Sequence, residues 1–222
     1  MAALYIVATP IGNLKDVTLR ALEVLRGVDL ILAEDTRITK RLLEHYDIKK
    51  PILSYHQHSE LKKINYILEL LREGKNLALV SDAGTPGISD PGNKLVSEVL
   101  KDQKLENIKI VPIPGSSVLA AAASISGLSM ERFLFLGFPP AKKKRKRFFD
   151  QILNSKYPVI FYESPYRILR TLSELKDISP ERNIIVCREL TKKFETIYRG
   201  RIDEVIKKIS ADQIKGEFVV II

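Results

Sequence analysis

Two carboxylates, a hydroxyl and a guanidinium stand side by side in Ala33-Glu34-Asp35-Thr36-Arg37, directly behind a short apolar run. At a helix start, Asp35 or Thr36 would accept orphan amide hydrogens. Capping does not require Glu34 or Arg37, which remain candidates for acid, base or charge partner. A second concentration is Ser81-Asp82-Ala83-Gly84-Thr85-Pro86-Gly87-Ile88-Ser89-Asp90-Pro91-Gly92. Three glycines, two prolines and two aspartates in twelve residues make a stiff, tightly turning loop where backbone approaches a ligand closely. The competing reading is a plain turn, although far fewer residues suffice to join a strand to a helix. A third segment, Thr9-Pro10-Ile11-Gly12-Asn13, follows the first apolar run. Ligands on open α/β sheets bind beyond the carboxyl ends of strands, and all three segments occupy such positions.

Several chemistries fail at the level of spacing. Neither glycine-bearing loop contains G-x-G-x-x-G, so an ordinary dinucleotide site is disfavoured. Gly87 to Lys94 imitates a phosphate loop but has Asn93 where lysine is needed, and Pro91 removes a cradling amide. His45, His56 and His58 with the single Cys187 form no metal-ligand set; His56 and His58 alternate as on one strand face, in a solvated or hydrogen-bonded role. Cys187 lies in an apolar strand and reads as buried packing rather than a nucleophile.

Charge adds a different signal. The 222-residue chain has 36 basic and 27 acidic residues, a net charge of +9. The run Lys142-Lys143-Lys144-Arg145-Lys146-Arg147 alone holds six of those cations. A polyanion is its natural partner, because neutralised phosphates release condensed counterions; a solvated loop is the alternative.

These segments need a frame. Leu4–Ala8, Leu30–Ala33, Ile52–Tyr55, Asn76–Val80 and Ile108–Ile113 read as strands. Between them run helical patterns: one capped by Asp16 and closed by Gly27, one with Ile38, Leu42, Leu43 and Tyr46 on a face, Leu61–Glu73, and Asn93–Lys104 with Leu95, Val96, Val99 and Leu100 inward. Continuous apolar strands alternating with helices predict a mainly parallel sheet covered on both faces. Past Pro114 the pattern changes: a small-residue helix over 117–126, a strand over 133–138, a helix near 147–153, a strand at Val159–Glu163, and a helix begun by Ser164 and Pro165. Further strands follow at Asn183–Glu189, Glu195–Arg199 and Glu217–Ile222, with a helix at Ile202–Ile209. The five-residue link between the first two of those strands suits an antiparallel pair. The expected division is 1–113, with a mainly parallel sheet, and 114–222, with a mixed one. Hydrophobic residues at 45% and charged ones at 28% exclude disorder, collagen and coiled-coil rods. No stretch reads as a bilayer span or a secretory signal; with one cysteine, the expected location is the cytoplasm.

Taken together, Tyr5 to Leu14, Ala33 to Arg37, Ser81 to Gly92, Pro114-Gly115-Ser116-Ser117 and Phe161-Tyr162-Glu163-Ser164-Pro165-Tyr166-Arg167 closely resemble the ribosomal RNA small subunit methyltransferase I family, of the tetrapyrrole methylase superfamily. The match runs in order along essentially the whole chain. The resemblance implies two α/β domains of the class III methyltransferase type with a cofactor cleft between them. It implies an S-adenosylmethionine-dependent 2′-O-methyltransferase acting, as a homodimer, on a cytidine in the decoding region of small-subunit (16S) rRNA, free or within a ribosomal particle. The family's usual C-terminal segment of a few dozen residues is not found after Ile222. Matched motif to motif, the cofactor-binding positions are Pro10, Asp82, Gly84, Thr85, Ser116, Ser117, Tyr162 and Leu190, with Gly216 and Glu217 closing the pocket.

The residue types agree with that implication. S-adenosylmethionine carries a sulfonium, an ammonium, a carboxylate and an adenosine, so it needs a carboxylate acceptor, hydroxyls and close backbone rather than a phosphate cradle. The ribose hydroxyl must lose a proton, with Glu34, Asp35, Arg37, Glu189 and Lys192 as candidates to assist. Lys142 to Arg147 would hold rRNA phosphates. Two alternatives stay open: a tetrapyrrole or diphthine-type methylase of the same superfamily, and a non-catalytic RNA-binding ribosome-assembly factor.

Overall fold

The computed structural model describes residues 2–56, 61–90 and 92–222; the expectations for His58 and Pro91 fall outside them. Two compact units result, Met1–Ser117 and Val118–Ile222.

In the first unit the apolar runs form strands β1 (Ala3–Val7), β2 (Leu30–Ala33), β3 (Ile52–Ser54), β4 (Leu77–Val80) and β5 (Lys109–Ile113). They lie in the order β3-β2-β4-β1-β5, and every ladder is parallel. Side chains alternate across the strands, so Leu32, Leu77 and Leu79 face one way while Ile31, Ala33, Ala78 and Val80 face the other. The first set packs with Ile64, Ile67 and Leu71 of α3 (Leu61–Arg72) and Leu95 and Val99 of α4 (Gly92–Lys101). The second packs with Ala21 and Leu25 of α1 (Leu19–Gly27) and Leu43 of α2 (Thr36–His45). Burial of both faces explains why these strands read as unbroken apolar runs.

Some local expectations are corrected. Asp16 does not cap α1: it ends a short 3-10 turn, Leu14–Asp16, and Thr18 is the cap, accepting from Ala21 N. Ile38 and Leu100, expected inward, are 41% and 73% exposed; Thr39 takes the inward place on α2. The fourth helix ends at Lys101, after which a separate 3-10 turn spans Gln103–Leu105.

The second unit holds β6 (Leu134–Phe135), β7 (Val159–Glu163), β8 (Asn183–Arg188), β9 (Thr196–Arg201) and β10 (Phe218–Ile221) in the order β6-β7-β10-β8-β9. Only β6 runs parallel to its neighbour; the other three pairings are antiparallel. Helices α6 (Arg145–Leu153), α7 (Ile168–Ile178) and α8 (Ile202–Ser210) cover the face bearing Phe161, Val186, Phe218 and Val220. The opposite face, with Ile160, Ile185, Cys187 and Val219, packs on α5 (Val118–Ser124). The strand expected over 133–138 shrinks to two residues, and a turn over 165–167 separates Ser164 from the helix it was expected to cap. Ser164 still contributes, its carbonyl accepting from Ile168 N at 3.0 Å. Among the described residues, no helix is long and apolar enough to cross a membrane.

Candidate functional site

Because β1 and β4 are neighbours, the loops leaving their carboxyl ends meet. Thr9 and Gly84 exchange a pair of backbone hydrogen bonds, Thr9 N to Gly84 O at 2.9 Å and Gly84 N to Thr9 O at 3.0 Å. Thr9 Oγ1 also donates to Ser81 O at 3.1 Å. Gly84 sits at φ +80°, a left-handed conformation that asks for glycine. Pro10, next to Thr9 in this bridge, is buried. Thr85 Oγ1 donates to Ser116 O at 3.3 Å, and Ser116 Oγ donates to Asp16 O at 3.0 Å. Gly115 lets the same segment approach β1: a Cβ there would lie 3.0 Å from Ala8 Cβ. Pro10, Asp82, Gly84, Thr85 and Ser116 are thus gathered by one set of loop contacts in the first unit. Its sequence neighbour Ser117 leads into the next unit.

The carboxylates beside this bridge are unevenly neutralised. Asp35 caps α2 by accepting from Arg37 N at 2.8 Å, and its other oxygen takes Arg37 Nη2 at 2.6 Å. The Arg37 guanidinium holds the Asp35 carboxyl down to about 2; Asp35 in turn raises Arg37. Asp82 Oδ1 accepts from Asp35 N at 2.9 Å, tying the β4 loop to the start of α2. Glu34, Tyr55, Ser81, Pro86, Asp90 and Gly92 line a small cavity. Burial pushes the Glu34 carboxyl up, and the negative charges of Asp82, Asp90 and Asp35 add to that, against a smaller opposing pull from the Asp82 amide. Asp82 is also raised, chiefly by burial. Asp90 braces the loop, since its Oδ1 accepts from Gly87 N and Gly92 N, each at 2.7 Å. Residue type alone assigns no role to Asp90 or Tyr55; for Asp90 the available signal is an aspartate set before Pro-Gly, a common turn-former.

The second unit positions the remaining candidates. Tyr162, on β7, packs edge-on against Phe135 and Phe138 with ring centroids 4.8 and 5.4 Å away, and burial pushes its phenol up to about 12. Leu190 is buried between two residues of left-handed backbone, Glu189 at φ +52° and Thr191 at φ +66°. That strained loop is clamped. Glu217 N donates to Glu189 Oε1 at 3.0 Å, and Lys192 Nζ lies 2.9 Å from Glu189 Oε1 and 3.1 Å from Glu217 Oε2. Gly216, at φ +92°, leaves no room for a Cβ against the Glu189 carboxyl. Burial alone would raise Glu189, but Lys192 and the Glu217 amide outweigh it and hold it below the usual range. Burial would lower Lys192, but Glu189 and Glu217 hold it above. Neither group is left to exchange a proton near neutrality.

The basic run separates into two kinds of cation. Lys142, Lys143, Lys144, Lys146 and Arg147 are exposed. Arg145, expected among the phosphate contacts, is 7% exposed. Its Nε meets Glu174 Oε2 at 2.6 Å, Nη2 donates to Thr171 Oγ1 at 2.7 Å, and Nη1 donates to Pro140 O at 3.0 Å. Thr171 Oγ1 donates in its turn to buried Glu163 Oε2 at 2.6 Å. Arg145 is therefore an internal strut. No periodicity marked it, because six consecutive cations look alike until helix α6 turns one of them inward.

A family model described as Tetrapyrrole (Corrin/Porphyrin) Methylases matches residues 3–206. Relatives named Ribosomal RNA small subunit methyltransferase I include that of Thermotoga maritima, 45% identical across 100% of this chain and 98% of its own length. That of Bacillus subtilis is 45% identical across 100% of this chain and 75% of its own length. For Synechocystis the figures are 46%, 100% and 79%. Among solved structures, diphthine synthase superposes with a TM-score of 0.77 at 13% identity, covering 100% of this chain and 90% of that one. The methyltransferase CobJ gives 0.72 at 18%, covering 100% and 93%. At such identities these two structures share the fold alone.

Proposed function

Since the chain belongs to the tetrapyrrole methylase family and, within it, to the ribosomal RNA small subunit methyltransferase I family, we propose that it methylates the 2′-oxygen of a cytidine ribose in the decoding region of small-subunit rRNA, acting as a homodimer. The observation that carries this reading is identity of about 45% across 100% of this chain to relatives bearing that name. S-adenosylmethionine is the methyl donor of the family, supplying a methyl group on a positively charged sulfur.

The first-unit loops fit such a donor. The Thr9–Gly84 bridge brings the backbone of two loops together at a glycine of positive φ. Asp82 offers a carboxylate acceptor, and Thr85, Ser116 and Ser117 offer hydroxyls. Pro10, Asp82, Gly84, Thr85, Ser116 and Ser117 hold the donor on this reading, and the family resemblance implies Tyr162, Leu190, Gly216 and Glu217 as further donor-binding positions. Holding two reactants in line supplies much of the acceleration, roughly 7 to 11 kcal/mol in favourable cases.

The ribose proton must also be removed. Of the five candidates, Asp35 and Arg37 neutralise each other, and so do Glu189 and Lys192. Glu34 is raised by burial and by neighbouring carboxylates, which makes its carboxylate the better proton acceptor. Glu34 is the base on this reading, and the two neutralised pairs fix loops.

The test is mass spectrometry of small-subunit rRNA from cells with and without this protein. One cytidine ribose methyl should vanish in its absence and return when the purified protein and donor are added to small-subunit particles. An unchanged methylation pattern, with methyl transfer to a tetrapyrrole precursor instead, would overturn the reading.

A further inference from the structure

Two exposed aromatic residues belong to the segments that are fastened to the basic run. Tyr166 is 95% exposed and Phe138 is 51% exposed. Both sit on an anchored frame. Arg167, next to Tyr166, donates Nη1 to Pro139 O at 3.2 Å and pairs through Nε with buried Glu163 at 3.1 Å. Arg145 Nη1 holds the next carbonyl, Pro140 O, at 3.0 Å. Residues 138–140 are thus fastened on one side to the residue after Tyr166 and on the other to the first residue of α6. The exposed cations begin two positions beyond Pro140.

A single exposed tyrosine needs no explanation, but this setting does. Among the described residues no carboxylate pairs with Lys142, Lys143, Lys144, Lys146 or Arg147, while all eleven ion pairs of these units lie elsewhere or use Arg145. Lys144 occupies the N-cap of α6 at φ +66° with no side-chain capping bond, so positive charge crowds the positive end of a helix dipole. A polyanion relieves that crowding. Cations that follow phosphates beside rings that face solvent are the combination used for single-stranded nucleic acid, where every base offers a face to stack on. Base pairs in a duplex are already stacked and present no such face.

We propose that Tyr166, with Phe138 beside it, is a stacking platform for unpaired bases of the RNA whose phosphates rest on Lys142, Lys143, Lys144, Lys146 and Arg147. This rests on the rRNA reading above and adds the state of the substrate: a single-stranded or opened segment. Arg145, Arg167, Glu163 and Thr171 are positioning residues that hold the platform.

The test compares binding of an unstructured oligoribonucleotide and a blunt RNA duplex of equal length by fluorescence anisotropy across a salt series, using the full chain. Tyr166→Ala should weaken single-strand binding at least about fivefold, leave duplex binding and the salt slope unchanged, and be rescued by Tyr166→Trp. The double variant Lys143→Gln/Lys146→Gln should instead flatten the salt slope by roughly 0.7 per lost phosphate contact. Single-strand affinity equal to wild type in Tyr166→Ala overturns the platform while the rRNA reading stands. A change in sedimentation mass for that variant also overturns it, because a second copy of the chain would then cover Tyr166. Wild-type protein that binds neither RNA also overturns the platform, while methylation of small-subunit particles decides the rRNA reading separately.

Discussion

Two clusters, one in each unit, are each built of carboxylates with a basic side chain nearby and end in opposite electrostatic states. In the first, Glu34, Asp82 and Asp90 face one another across the β4 loop, and the nearby cation, Arg37, is 88% exposed and committed to Asp35. Burial then raises both Glu34 and Asp82. In the second, a single ammonium, Lys192, lies within 3.1 Å of both Glu189 and Glu217, and Glu189 is lowered although it is partly buried. What differs is the number of cations within reach of each carboxylate. A group that must change protonation state during a reaction has to be left short of positive charge. A group that must hold two left-handed residues in place has to be neutralised.

The comparison breaks most directly at Glu34. Glu34→Gln keeps the shape and removes the basic oxygen, and single-turnover methyl transfer should slow by about 10²- to 10⁴-fold, with donor affinity by calorimetry nearly unchanged. A larger rate loss for Lys192→Gln than for Glu34→Gln would invert the assignment. Next in size is Arg145→Ala, which removes the buried guanidinium from Thr171 Oγ1, Pro140 O and Glu174 at once, although Glu174 keeps Arg170 and Glu163 keeps Arg167; urea unfolding should show a loss of about 3 kcal/mol. Lys143→Ala, two residues earlier but exposed, should stay within roughly 0.5 kcal/mol of wild type. Equal effects would mean that Arg145 is not a strut. Smaller again is Gly216→Ala: a side chain at φ +92° against the Glu189 carboxyl should lower stability by about 2 kcal/mol in the same assay.

Legibility in the sequence followed burial. The first sheet was readable because both its faces are covered, which leaves apolar runs at β2 and β4 with nothing to confuse them. Cys187 was read as packing, and it is 1% exposed, its thiol pushed up to about 11 by burial. Helix faces were harder. Ile38 and Leu100 are apolar and exposed, whereas Thr39 is polar and 3% exposed, so hydropathy alone places Leu42 and Leu43 of α2 correctly but misplaces one position on α2 and one on α4. Arg145 shows the same limit from the other side, since its role depends on Thr171 and Glu174 of α7, more than twenty residues away. At the candidate site, residue types singled out loops that the structure brings together, the β1 and β4 loops through the Thr9–Gly84 bridge and the start of α2 through Asp82. The sequence could not separate Glu34 from Glu189, because neutralisation of Glu189 depends on Lys192 and on a backbone amide that β10 brings alongside β8.

The finest test of the contrast is the pH dependence of the rate. Glu34 must be ionised to accept the ribose proton, so activity should rise with pH as its carboxyl loses a proton. Burial and three neighbouring negative charges raise that carboxyl, so the acid limb should lie above the ordinary carboxylate range. Asp90→Asn removes one of those charges yet keeps an Oδ1 to accept from Gly87 N and Gly92 N, so the loop should hold. With less repulsion, ionised Glu34 becomes easier to form, and the limb should move to lower pH. Glu217→Gln makes the matching change in the second cluster, where Glu189 and Lys192 serve as a clamp, and the limb should stay where it is. Stopped-flow rates across the acid range for the two variants decide the matter. A limb that moves with Glu217 and not with Asp90 would transfer the base to the second unit.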